Sequence, residues 1–290
     1  MRKHMNFKYL CQQFDLGRFK AACPMAPGTV AQVWRLETDI STYLVRTLRD
    51  QEQGEREWSI HRHLRKHGFS SMPAILVPCF QQAGRWYQIQ EFCSGDRPSL
   101  ERPGTVGRIA VMVTELMKAA EGCTAAMDVP DRFDLASVWS EFRLNWPLLE
   151  LPLPQGDADR WVERLSALTS SNRQLIHGDL GLWNMLERKN EIRVIDFGEA
   201  RQGDPYFDLA SALAGLINHS SPENRKQNAA EFLAMCRERM TLDMERLENQ
   251  VFLWVWRGLA QCVREPEAWK NMAQRFYHAL IWCEENLHEL

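Results

Sequence analysis

His177-Gly178-Asp179-Leu180-Gly181-Leu182-Trp183-Asn184, followed by Val194-Ile195-Asp196-Phe197-Gly198, is the stretch on which the reading of this chain turns. Residues 185–187 and 192–195 are β-like and flank Arg188-Lys189-Asn190-Glu191, a turn composition, so a hairpin is expected between the two segments. Such a hairpin would fold Asp196 back toward Asp179 and Asn184. Phosphoryl transfer asks little covalent chemistry of a protein, which has to position the attacking hydroxyl, clamp the phosphates and hold metal ions. In that setting Asp179 would accept or orient the hydroxyl proton, and Asn184 and Asp196 would offer the hard oxygen ligands that Mg2+ prefers. Either tripeptide alone reads better as a capping or Asx turn; their joint spacing around a hairpin points to the chemistry.

Ahead of this centre the pattern is that of a small sheet with one helix. Residues 30–37 and 42–48 are rich in β-branched and aromatic side chains with Asp39 in the turn between them, and 74–77 and 86–92 flank the turn Gln82-Ala83-Gly84-Arg85. Between the two pairs, 52–67 carries Trp58, His61 and Leu64 at helical spacing and Gly68 just past its end. After Ser94-Gly95-Asp96 the periodicity turns helical over 106–120, 135–149, 158–168, 208–217, 225–239, 242–264 and 267–287. The expectation is an α+β chain of two lobes, 1–92 and 93–290, hinged at about 90–96.

Together, the His177-to-Asn184 and Val194-to-Gly198 segments resemble the aminoglycoside phosphotransferase and choline kinase family, a branch of the protein-kinase-like fold. The resemblance covers most of the chain and is strongest over 174–213. It implies a bilobal kinase: a small first lobe with an antiparallel sheet and one helix, and a larger helical lobe carrying the catalytic hairpin. It also implies ATP or GTP in the cleft with Mg2+, and a small hydroxyl-bearing acceptor on the helical lobe. Arg46, in Tyr43-Leu44-Val45-Arg46, stands where the family carries a phosphate-gripping lysine, and Glu57 matches the helix glutamate that holds it. An arginine fork suits both phosphate and carboxylate. Taken alone, the two residues read as a solvated surface pair. Gly28 and Thr29, in the loop 25–29, would cover the nucleotide phosphates, a segment that reads equally as an ordinary turn. Backbone groups of the hinge Gln90-Glu91-Phe92-Cys93 would hold the base, which makes Glu91 and Cys93 candidate contacts. His177 is expected to fix the loop, as is Asp208, whose alternative is a plain helix N-cap.

Composition narrows the remaining choices. The apolar run 251–256 ends at Arg257, far short of a membrane span, and the basic start is followed by polar residues, so no secretory signal is read and a cytoplasmic protein is expected. Eight scattered cysteines form no Cys-x-x-Cys pair, which argues against zinc. Lys and Arg number 13 against 8 Asp and Glu through Phe92, and 22 against 30 beyond it. The front is thus basic and the remainder acidic, which suits phosphates and a cationic acceptor, or means only solvated faces. No basic stripe interleaved with aromatics suggests nucleic acid.

Only nine residues separate Gly198 from Asp208, too few for an activation segment, so a small-molecule acceptor is favoured over a protein substrate. The alternatives are an atypical protein kinase of the same fold and a non-catalytic nucleotide-binding member. By the family resemblance, 128–168 and 242–290 would build the acceptor pocket. Trp139, Trp146, Trp161, Trp254, Trp256, Trp269 and Trp282 lie there among acids such as Glu141 and Glu150. They read either as a cage for an amine or as helix core. Trp254 and Trp256 are not expected both to face inward on one helix.

Overall fold

The computed structural model describes residues 5–25, 31–125, 129–131, 142, 145–152, 156, 159–160, 163, 165 and 173–290. The chain opens with a short helix, α1 (Phe7–Gln13), beyond the one helix expected for this region. An antiparallel sheet follows from β1 (Phe19–Pro24), β2 (Val33–Thr38), β3 (Thr42–Leu48), β4 (Ile75–Gln82) and β5 (Arg85–Glu91), in the order β1-β2-β3-β5-β4. Helix α2 (Gln51–Lys66) crosses between β3 and β4.

Strand alternation sorts β3 and β5 onto two faces. Tyr43, Val45, Tyr87 and Ile89 join Leu10, Leu16 and Leu36 in a core under α1. The intervening positions, Arg46 and Gln88, are paired across β3 and β5 and belong to the other face. Asp50 caps α2 by accepting from the Gln53 N–H at 2.8 Å. Its buried positions Glu57, Ile60, His61 and Leu64 recur at the three- and four-residue spacing of one helical stripe.

The second part of the chain is helical around two short β pairs. Its elements are α3 (Thr105–Ala119), β6 (Gln174–Ile176), β7 (Met185–Arg188), β8 (Glu191–Val194), β9 (Arg201–Gly203), α4 (Tyr206–His219), α5 (Pro222–Arg237), α6 (Met244–Cys262) and α7 (Pro266–Asn286). The expected hairpin is β7–β8, and Lys189 and Asn190 take φ of 48° and 66° at its tip, the positive values of a tight primed turn. Glu187 on β7 is buried and bonded to Arg108 at 2.6 Å, Arg102 at 3.2 Å and Thr105 at 3.2 Å, which pins the hairpin against α3.

Most of the helices expected over 135–149 and 158–168 fall outside the described residues; 146–149 form a single 3-10 turn. Trp254 and Trp256 depart from expectation, since both are buried. Helix α6 packs against both α4 and α7, so its apolar surface is not confined to one stripe. Trp254 stacks on Trp183, and Trp256 meets Phe142 edge-on. Of the other tryptophans, Trp146 is buried, Trp282 is partly buried against the core and Trp269 is exposed, while Trp139 and Trp161 lie outside the described residues, as does Glu141. No helix among the described residues is long and apolar enough to cross a membrane.

Candidate active site

Strand β6 delivers the loop that starts at His177. The backbone N–H groups of His177 and Gly178 donate to the two oxygens of Asp208, at 2.6 and 2.9 Å. Asp208 lies in the first turn of α4 rather than at its N-cap, which corrects the simple capping alternative. It is Asp204 whose side chain accepts from the first helical N–H, at 2.9 Å. Burial pushes the Asp208 carboxyl up from its ordinary value, and His177 and the two N–H donors oppose that.

Gly178 has φ of 81°, and a Cβ there would collide with Arg201 and the Glu199 carbonyl, so glycine is required. The Ile195 carbonyl can only accept, and it lies 3.0 Å from Nε2 of His177; the Asp179 N–H points at Nδ1 from 3.3 Å. These partners select the tautomer with the proton on Nε2. His177 therefore ties the loop to the end of β8, and it touches the ring of Phe197, which is flanked on its other contact by His61 of α2.

The loop brings Asp179 to Asn184. The Asn184 amide donates to Oδ2 and to the backbone carbonyl of Asp179, both at 2.8 Å. The indole N–H of Trp183 reaches the same Oδ2 at 3.1 Å. Burial pushes the Asp179 carboxyl up, while Trp183, His177 and Asn184 work in the other direction. Asp196 sits in left-handed backbone at φ 63°, its side chain 59% exposed, with Oδ1 receiving Arg46 at 3.2 Å and the Gly198 N–H at 3.4 Å. Among the described residues, Oδ1 of Asn184 and Oδ2 of Asp196 accept no hydrogen bond. One amide oxygen and one carboxylate oxygen are thus left for a hard cation, a donor set that fits Mg2+.

Arg46 and Glu57 are not a solvated pair. Both are buried, and Nη2 of Arg46 is bonded to Glu57 Oε2 while Nε donates to Gln88 at 3.1 Å and Nη1 reaches Asp196. Each nitrogen of the fork has its own acceptor, a distribution that a lysine ammonium cannot copy. Burial pushes the guanidinium down from its ordinary value and Asp196 counteracts this. At the hinge, the Glu91 side chain takes Arg193 at 3.1 Å, and the Cys93 sulfur takes the same nitrogen at 3.3 Å. The Glu91 N–H is spent on the Ala74 carbonyl, whereas the Cys93 N–H has no acceptor among the described residues. Gly28 and Thr29 lie outside the described residues.

Several participants were not legible from the motif. Arg201 donates to the Gly178 carbonyl at 3.3 Å and to Asp131 at 3.0 Å, and Arg257 of α6 reaches the other oxygen of Asp131 at 2.7 Å. Both guanidiniums lie over the ring of Phe207, and burial lowers Arg257 to about 10. Only the hydrophobic setting of Arg257 in Val251-Phe252-Leu253-Trp254-Val255-Trp256-Arg257 hinted at a buried cation. Gln88 and Trp183 carried no signal of their own.

Known proteins bear on this arrangement. Residues 22–263 match the phosphotransferase enzyme family, APH. Among solved structures, an amicoumacin kinase, hAmiN, with AMP-PNP, Ca2+ and Ami superposes with a TM-score of 0.70 at 17% identity, covering 99% of this chain and 97% of that one. Spectinomycin phosphotransferase APH(9)-Ia with ADP and spectinomycin gives 0.68 at 12% identity, covering 97% and 98%. A thermostable mutant of aminoglycoside phosphotransferase APH(4)-Ia with ADP and hygromycin B gives 0.65 at 16% identity, with 97% of each chain covered. No curated protein matches the chain by sequence. At these identities the superpositions speak for the kinase-like fold, and the match over 22–263 carries the assignment: the chain belongs to the phosphotransferase enzyme family.

Proposed function

We propose that this protein transfers the γ-phosphoryl group of ATP or GTP to a hydroxyl of a small molecule, with Asp179 as the base. The observation that supports it most is the convergence of Asp179 with Asn184, at 2.8 Å, beside an Asp196 that already holds Arg46 at 3.2 Å. Asn184 and Asp196 would hold a divalent cation such as Mg2+, which when bound neutralises charge on the β- and γ-phosphate oxygens. Arg46, fixed by Glu57 and Gln88, carries a cation to the phosphate side of the cleft. Glu91 and Cys93 would meet the purine ring of the nucleotide through backbone, with the Cys93 N–H as donor. Gly28 and Thr29 would cover the phosphates. His177 and Asp208 shape the loop without touching substrate.

The lobes would divide at 1–92 and 93–290, with the cytoplasm as the source of nucleotide. The acceptor class is drawn from similar structures that hold hygromycin B, spectinomycin or amicoumacin: an amino sugar, an amino alcohol or another hydroxylated metabolite, cationic ones included. The test is a screen of purified protein with Mg·ATP and Mg·GTP against such acceptors, following ADP or GDP release. Turnover that disappears in Asp179→Ala and Asp196→Ala, and with chelator, is expected. An Asp179→Ala protein as active as the parent would sink the proposal.

A further inference from the structure

Trp183 occupies the position next to Asn184 and has no part in the motif chemistry. Its indole is nonetheless bonded to the side chain proposed as the base. Oδ2 of Asp179 receives both the Trp183 N–H, at 3.1 Å, and the Asn184 amide, at 2.8 Å, while Oδ1 accepts no hydrogen bond among the described residues. Two donors converging on one oxygen fix the plane of a carboxylate and leave the other oxygen bare.

The ring that supplies the first donor is itself held. Its plane is stacked on Trp254 with centroids 5.9 Å apart and an interplanar angle of 25°. Trp254 is 6% exposed and is braced edge-on by Phe276 at 5.5 Å. Against the six-membered ring of Trp183 lies Gly181, so close that a Cβ there would collide with it. The donor therefore has little freedom to leave Oδ2.

The chemical type of the donor matters as well. A lysine or arginine in this place would form an ion pair with Asp179 and oppose its taking a proton. A neutral N–H holds the oxygen without cancelling the charge. The indole is held by Gly181 and by its stack on Trp254.

We propose that Trp183 is a positioning residue for phosphoryl transfer: its indole N–H holds Oδ2 of Asp179 so that Oδ1 alone meets the acceptor hydroxyl. This rests on the phosphotransferase reading above. Because the acceptor is unidentified, the probe is the slow hydrolysis of Mg·ATP by water, followed as ADP release at a fixed neutral pH over a range of ATP concentrations. Five proteins are compared: the parent, Trp183→Phe, Trp183→Leu, Trp254→Phe and Asp179→Asn.

Trp183→Phe removes the N–H and keeps an aromatic ring. It is expected to lower kcat about tenfold, the size of one hydrogen bond to a charged group, with KM for ATP within about twofold. The loss is expected in kcat and not in KM, because the donor orients the reacting carboxylate and does not touch the nucleotide. Trp254→Phe keeps the donor but loosens its stack, and it should lower kcat by less than Trp183→Phe does, with KM for ATP within about twofold. Trp183→Leu should repeat the fall in kcat with KM for ATP kept, and it stands in if the phenylalanine variant folds poorly. A Trp183→Phe protein with unchanged kcat, or with kcat reduced only alongside a comparable change in KM for ATP, would overturn the proposal. If Asp179→Asn hydrolyses ATP as fast as the parent, the role of Asp179 falls, and this proposal with it.

Discussion

The His61 ring offers a sharp test of how the sheet, α2 and the Asp196-Phe197-Gly198 segment are joined. It is buried edge-on against Phe197 with centroids 4.8 Å apart, and its Nδ1 has no partner among the described residues. Burial, with help from Arg46 and Arg65, lowers its pKa from 6.5 to about 3. The folded protein therefore keeps this ring neutral at pH values where the unfolded chain protonates it. Below pH 6.5 the unfolded state binds the extra proton, so stability falls as pH falls, until the folded pKa is reached.

For these two values the loss between pH 7.5 and pH 5.0 is about 2 kcal/mol from this one group. His61→Phe keeps a ring against Phe197 and removes the titration. Urea unfolding of the parent and the variant at both pH values gives four free energies. The drop from pH 7.5 to pH 5.0 should be smaller in the variant by about 2 kcal/mol. Equal drops in the two proteins would refute the burial argument, whatever the absolute stability of the variant.

Arg46→Ala strands a buried Glu57 carboxylate and should cost about 3–5 kcal/mol, read as a fall in thermal midpoint; Arg46→Lys should recover part of the stability but not the bonds to both Gln88 and Asp196. Gly178→Ala forces a Cβ into Arg201 at a positive φ, and a loss of about 3 kcal/mol in a denaturant melt is expected, together with weakened turnover. Glu187→Gln should destabilise the protein above pH 5 and less below it. Burial works to raise that carboxyl, but the bonds from Arg108, Ser99 and Thr105 outweigh it and hold the group below its ordinary value, so its contribution is present in the ionised range and fades with acid. Thermal melts of the two proteins at pH 4 and pH 7 check the sign.

The site was legible where its signals are local. Asp179, Asn184 and Asp196 sit within 18 residues of one another around a hairpin whose turn residues announce it. The Arg46–Glu57 pair was reached through family resemblance alone, because nothing in Tyr43-Leu44-Val45-Arg46 says that its last side chain is enclosed. The enclosure comes from α2 laid across the face that Arg46 shares with Gln88, a tertiary event. Strands β6 and β9, three residues each, are too short for alternation to register. Counting faces misled on Trp254 and Trp256, because it assumes one buried stripe per helix and α6 has neighbours on more than one side. Trp183 escaped notice because the partner of an indole N–H is chosen by ring orientation, which Gly181 and Trp254 decide.

Helix α2 belongs by sequence to the first part of the chain, yet its apolar stripe does not. Ile60 and Leu64 lie in one continuous core with α3, α4 and α6, while the sheet keeps a separate core beneath α1. The apolar core thus crosses the 92/93 division through α2, while the Arg46 fork and the close approach of Gly54 to Pro78 and Cys79 tie the same helix to the sheet. A fragment ending at Phe92 would carry an orphaned greasy face into water and should aggregate. In hydrogen exchange the amides of α2 should open with the helices that follow rather than with the strands that flank it. Recombination between relatives would accordingly tolerate swaps of the strands more readily than swaps that carry α2 away from its distant partners.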